Sequence, residues 1–195
     1  MIDTILSYYH SEIAQEYEAR GWYTLAQTAA RRMSKEHGVS LRRAAGVIAA
    51  LSPMNTWGVN LMLAERVLVA ASRGRRRAPA QCGLRANVDK AWLIACGARP
   101  LDILSGPKVR SFYRNMTGDM DAVTVDRWAC RAAGVPESYV RSQPGYDEVS
   151  AAYREAAGSV GLSPAVFQAI IWCSIRERGL VRSNGVRVTG RRGFS

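Results

Sequence analysis

The sequence predicts an all-α protein, and three observations carry that reading. Alanine and leucine are plentiful, whereas β-branched residues nowhere alternate over a strand's length before a hairpin signal. Apolar residues instead recur at three- and four-residue spacing through several stretches. Capping residues and Gly/Pro stops punctuate those stretches at both ends. The chain has 195 residues, 48% of them hydrophobic, enough to bury a substantial core, which excludes a wholly disordered basic protein. One helical domain over residues 1–179 is expected, followed by a basic, flexible tail over 180–195.

The elements follow in order. Ile5 through Arg32 holds one or two amphipathic helices broken near Gly21, carrying Tyr8, Tyr9, Tyr17, Trp22 and Tyr23. Aromatics at this spacing serve core packing more often than base stacking. His37-Gly38 closes the segment, and Ser40 offers an N-cap for a helix through Leu51. Ser52-Pro53 interrupts, and Trp57 to Ala71 resumes with Val59, Leu63, Val67 and Ala70 on one face. Arg73 to Pro79 is a basic loop, and Asn87 to Cys96 a short helix. Gly106-Pro107 turns into a helix from Lys108 to Met116. Val123-Thr124-Val125 reads as briefly extended, leading to a helix over Asp126 to Ala133 that Gly134-Val135-Pro136 stops. Tyr146 to Ala157 and Ser163-Pro164 to Arg178 are the last two helices.

Charge and cysteine usage narrow the function. Lys+Arg total 27 against 16 Asp+Glu, a net charge of +11, which points to a polyanionic partner, most simply nucleic acid. Only Lys35, Lys90 and Lys108 are lysines; the remaining 24 basic residues are arginines, suited to gripping phosphate but not to amine chemistry. Cys82, Cys96, Cys130 and Cys173 are scattered, and the only histidines are His10 and His37. Buried thiols in a reducing compartment are therefore expected, with no metal cluster, no disulfide framework and no cofactor. The longest apolar run, Ala44 to Leu51, is too short to cross a bilayer, and no secretory signal opens the chain. A cytoplasmic, DNA-associated protein without a membrane partner is the expectation.

The chemistry-bearing stretch is Leu104-Ser105-Gly106-Pro107-Lys108-Val109-Arg110, followed by Val125-Asp126-Arg127-Trp128 and Arg131. It places a lysine just after a Gly-Pro turn and a carboxylate at the start of another helix. As a lone feature that aspartate reads as a helix cap. The combination resembles the helix-hairpin-helix DNA glycosylase superfamily, particularly its endonuclease III-like members, whose hairpin reads L-P-G-V-G-x-K before a V-D-T-H-like segment. Lys108 and Asp126 stand 18 residues apart, in agreement with that family's lysine and aspartate. Val47 to Asn60 is similar to its L-L-S-x-Q-x-T-D-x-x-V-N helix–loop–helix, and Lys90-Ala91 to the pair in the helix before the hairpin.

The resemblance implies a two-lobed helical glycosylase-like fold, with a cleft between the lobes and the hairpin near residues 101–116. The implied partner is duplex DNA with a flipped base, probed by a loop carrying Ser52, Met54, Asn55 and Asn60. Ser105, Gly106, Arg110 and Arg127 are the further DNA-binding candidates. Lys108 would attack C1′ of the sugar, and Asp126 would stabilise the developing positive charge. Met54 stands near the family's inserting side chain, where an apolar wedge and a core residue are both open readings. The hairpin here is two residues shorter than the family's, and Arg127-Trp128 replaces Thr-His. The chain also looks like divergent phage-associated members linked to thymine hypermodification, including the α-glutamyl/putrescinylthymine pyrophosphorylase group. In such an enzyme Lys108 would bind a phosphate leaving group as a cation. A catalytically silent DNA-binding protein is the alternative from another class.

Outside the motifs, Arg73, Arg75, Arg76 and Arg77 in the loop, and Arg182, Arg187, Arg191 and Arg192 in the tail, fit phosphate contacts.

Overall fold

A computed structural model describes residues 1–10, 18–79 and 83–184, with side chains for 1–10, 20–79 and 83–175. Tyr17, Cys82, Arg187, Arg191 and Arg192, and the side chain of Arg182, lie outside the described residues. Among the described residues all regular structure is helical, so the all-α expectation holds. The helices are α1 (Ile2–Tyr9), α2 (Trp22–Glu36), α3 (Leu41–Leu51), α4 (Trp57–Ser72), α5 (Arg85–Ala95), α6 (Pro100–Ile103), α7 (Pro107–Met116), α8 (Arg127–Ala133), α9 (Gln143–Ser159) and α10 (Pro164–Asn184). Single 3-10 turns occupy Glu18–Gly21 and Tyr139–Arg141. The last helix runs six residues beyond Arg178, so the expected tail from residue 180 is helical as far as Asn184.

The chain divides into two compact units, one of Thr24–Gly118 and one of Met1–Tyr23 with the described residues from Asp119 onward. The first is built around α3. Every residue from Ala44 to Leu51 is buried, as a helix apolar on all sides requires. The Ser40 hydroxyl caps it by accepting from Arg43 N–H. Gly46 permits the closest approach: a Cβ there would lie 2.8 Å from Pro100 Cγ and 3.0 Å from Ile94 Cγ2. Helix α4, capped by Thr56 Oγ1, buries Asn60, Leu63, Ala64, Val67, Leu68 and Ala70. Val59, expected on that inner face, is exposed.

In the second unit, Ile5 of α1 packs with Val123, Val125, Ala129, Cys130, Val149, Tyr153, Phe167 and Ile171. The 123–125 segment forms no strand. Instead, the Tyr146 hydroxyl accepts from Val125 N–H at 3.1 Å and donates to the Val123 carbonyl at 2.8 Å. Tyr8 and Tyr9 pack against this core, the packing reading of the aromatic stripe. Cys130 and Cys173 are buried free thiols, whereas Cys96 is exposed, against expectation. Among the described residues no single helix is long and apolar enough to cross a membrane; Gln143–Ser159 with Pro164–Ile175 passes that test only as a pair bent by 99°.

Candidate functional site

Asp126 is the N-cap of α8. Its Oδ1 accepts from Trp128 N–H and Ala129 N–H, both at 2.9 Å, satisfying two of the donors a helix start leaves unpaired. Its Oδ2 accepts from the Trp172 indole N–H at 3.1 Å. Trp172 in turn meets the Trp22 ring edge-on, centroids 5.6 Å apart, and Trp22 meets Tyr23 at 4.9 Å. The buried Tyr23 hydroxyl donates to Gln168 Oε1 at 2.9 Å. Gln168 and Trp172, four residues apart on α10, therefore bring one helix face to the Asp126–Tyr23 cluster. Burial pushes the Tyr23 phenol well above its ordinary value; the Thr124 hydrogen bond opposes the rise and the Asp126 charge adds to it. Burial raises the Tyr153 phenol too, again with the Asp126 charge contributing.

This half-buried carboxylate accepts from one indole, and a second indole and a buried phenol extend the cluster from it. The sequence pointed to Asp126 but not to Trp22, Tyr23, Gln168 or Trp172. The i,i+4 pairing of a glutamine with a tryptophan in an otherwise apolar stretch was the available signal. Arg127 is exposed, its guanidinium 4.8 Å from the Trp128 ring centroid.

The other unit holds the remaining candidates. Between α3 and α4, Ser52 Oγ donates to the Ala49 carbonyl and Asn55 Nδ2 to the Leu51 carbonyl, so both polar side chains turn inward to close α3. Met54 between them is 91% exposed. Its φ is +67°, in the left-handed region that costs a non-glycine residue about 1–2 kcal/mol. The core-packing reading of Met54 is thus corrected. Asn60 is corrected as well: it is 2% exposed and its side chain does not reach the surface. Trp57 meets Phe112 edge-on at 6.4 Å, which sets the start of α4 beside α7.

Helix α7 starts as the Gly-Pro turn predicts, with Gly106 at φ +80° and Pro107 in its first turn. Lys108 follows, exposed, and makes no hydrogen bond or ion pair among the described residues. Ser105 Oγ accepts from Lys90 Nζ at 2.6 Å, which ties α5 to the turn. Arg110 is not free for phosphate: its Nε donates to the Leu104 carbonyl at 2.9 Å and its Nη2 to the Leu101 carbonyl at 3.1 Å. Arg73, Arg75, Arg76 and Arg77 are all exposed, without ion pairs among the described residues. Lys108 belongs to one unit and Asp126 to the other.

These features define an all-α protein with an anchored carboxylate in one unit and, in the other, an arginine-rich loop and an apolar loop tip. It belongs to the family of unknown function DUF7178, which matches residues 1–179. No curated protein and no solved structure matches the chain.

Proposed function

We propose that this protein binds duplex DNA and acts on a nucleotide turned out of the stack, as a helix-hairpin-helix DNA glycosylase-like enzyme with the fold that this entails. The substrate would be a modified pyrimidine, excised or altered by group transfer. The observation that carries the reading is Met54: an apolar side chain held out to solvent at a strained backbone position, on a loop whose Ser52 and Asn55 side chains turn inward. An extruded base leaves a gap in the duplex, and an apolar wedge offsets part of the few kcal/mol that unstacking costs. The four exposed arginines of residues 73–77 supply phosphate contacts.

In excision, the neutral Lys108 amine forms a bond to C1′ as the glycosidic C–N bond breaks. The base leaves with that electron pair, the attached nitrogen loses a proton, and the C1′–O4′ bond then opens to give the Schiff base, O4′ taking up a proton. Asp126 offsets the positive charge developing on the sugar. A second reading, DNA binding without chemistry, is favoured by Asp126 itself, whose two oxygens already serve the backbone of α8 and the Trp172 indole.

Incubation with duplexes carrying damaged or hypermodified pyrimidines, with borohydride present, tests the proposal. A covalent adduct lost in Lys108→Ala supports lyase chemistry; mass spectrometry of the nucleosides separates excision from transfer. If wild type alters no base and Asp126→Asn binds DNA equally well, the enzymatic reading falls. If four arginines neutralise phosphates, binding should weaken roughly 100-fold between 50 and 200 mM salt. Salt-independent binding would remove DNA from the account altogether.

A further inference from the structure

We infer that Glu36, His37 and Glu65 form a binding site for a divalent transition-metal ion, Zn2+ being the best fit to its donors. One donor atom from each residue lies within 4.8 Å of the other two. Glu36 ends α2, His37 follows it, and Glu65 projects from the middle of α4, all within the Thr24–Gly118 unit.

The independent observation is a pair of orphaned buried atoms. The His37 side chain is only 9% exposed, and its Nε2 lies 2.7 Å from Glu65 Oε1, yet no hydrogen bond satisfies it. Glu65 Oε2 is likewise buried with no hydrogen-bond partner. Leaving such groups unsatisfied is costly, and a carboxylate more so than a neutral group. Both belong to residues of the same three-donor cluster, an arrangement a cation resolves.

The donor chemistry selects the ion. One imidazole and two carboxylates suit Zn2+ and its neighbours; Mg2+ prefers oxygen alone and keeps its waters. With metal–ligand bonds near 2.1 Å a tetrahedral ion sets its donors about 3.4 Å apart, so a 4.8 Å span needs a closure of roughly 1.4 Å. Glu36 is exposed and, among the described residues, held by a 3.8 Å ion pair to the exposed Arg32, which leaves its side chain room to supply that movement. The C-terminal end of α2 adds a partial negative charge at the same place. A bound ion would clasp the end of α2 to α4, and water would complete its coordination. The role assigned is therefore structural, and it stands independently of the DNA reading.

The test uses the full-length, tag-free protein, stripped with a chelator and titrated with Zn2+ or Mg2+. At a hundredfold excess over Kd, Zn2+ should raise the melting temperature by roughly 5–10 °C, and Mg2+ should do little. His37→Ala and Glu65→Gln should each abolish the Zn2+ shift, and Glu36→Gln, at an exposed position, should weaken binding at least tenfold without unfolding the protein. Co2+ as a spectroscopic probe should show d–d bands of nitrogen and oxygen ligation. A thiolate charge-transfer band would place the metal on a cysteine and overturn the inference. So would a Zn2+ shift that survives Glu36→Gln and Glu65→Gln, or no shift in the wild type.

Discussion

Replacing Asp126 separates a cap from a catalyst, because its two oxygens have different partners. In Asp126→Asn the remaining carbonyl oxygen still accepts from Trp128 N–H and Ala129 N–H, and asparagine caps as well as aspartate. The new amide nitrogen, however, meets the Trp172 indole N–H, donor against donor, where a charge-assisted hydrogen bond stood. Losing that bond costs about 1.5–3 kcal/mol. Asp126→Ala removes the cap as well, for about 0.5–2 kcal/mol more. Urea unfolding followed by far-UV circular dichroism measures both, since a shifted midpoint at constant slope reports stability alone. Trp172→Phe completes a double-mutant cycle, in which Asp126→Asn and Trp172→Phe should couple by at least 1 kcal/mol. Coupling below 0.5 kcal/mol, or an Asp126→Asn protein as stable as wild type, would refute the anchoring role. A stable, DNA-binding Asp126→Asn protein that no longer alters a base would show that the carboxylate also does chemistry.

Other expectations follow from packing, strain and ionisation. Gly46→Ala should destabilise by about 1–3 kcal/mol, although Gly→Ala in an unconstrained helix stabilises, because its Cβ would press 2.8 Å from the Pro100 ring; a gain in denaturant midpoint would contradict the close approach. Met54→Gly relieves the left-handed strain, so stability should stay within about 1 kcal/mol of wild type. Action on a flipped base should fall at least tenfold in the same variant, and unchanged activity in single-turnover assays would end the wedge reading. Tyr23 and Tyr153 titrate above the ordinary tyrosine value when folded. Their burial thus favours folding below about pH 10, and that contribution is lost as the unfolded chain ionises at higher pH. Ultraviolet titration at pH 11 should form fewer tyrosinates in the folded protein than in the unfolded chain, and Tyr23→Phe should lower the number left unformed by one.

The helices were legible where a local signal set their ends. Ser40, Gly106-Pro107 and Gly134 act within a few residues of themselves, and α3, α7 and α8 begin or stop where those residues require. Asn60 shows where reading by type fails. A motif match marked it as a surface contact, yet Asn60, Leu63, Ala64 and Val67 repeat at the spacing of one helix face, and that face is the buried one. Periodicity held the answer, and Asn60 belongs to the core set despite its polarity. The partners of Asp126 and Glu65 were beyond such reasoning, because Trp172 lies 46 residues from the first and His37 28 residues from the second. Only packing brings those pairs together.

The arginines make the sharpest case. A charge count treats Arg110 and Arg76 alike, and a net charge of +11 by itself offers every guanidinium to an anion. The first turn of α7 instead aims Arg110 back at the carbonyls of Leu101 and Leu104, which the end of the short helix α6 leaves without intrahelical donors. Those two acceptors would be left exposed to competition from water if Arg110 turned outward to a phosphate. The loop at 73–77 has no such claim on its side chains. Anion binding is therefore to be sought where the fold has left the donors unassigned, and Arg110→Ala should disturb the α6–α7 turn before it alters any salt dependence of DNA binding.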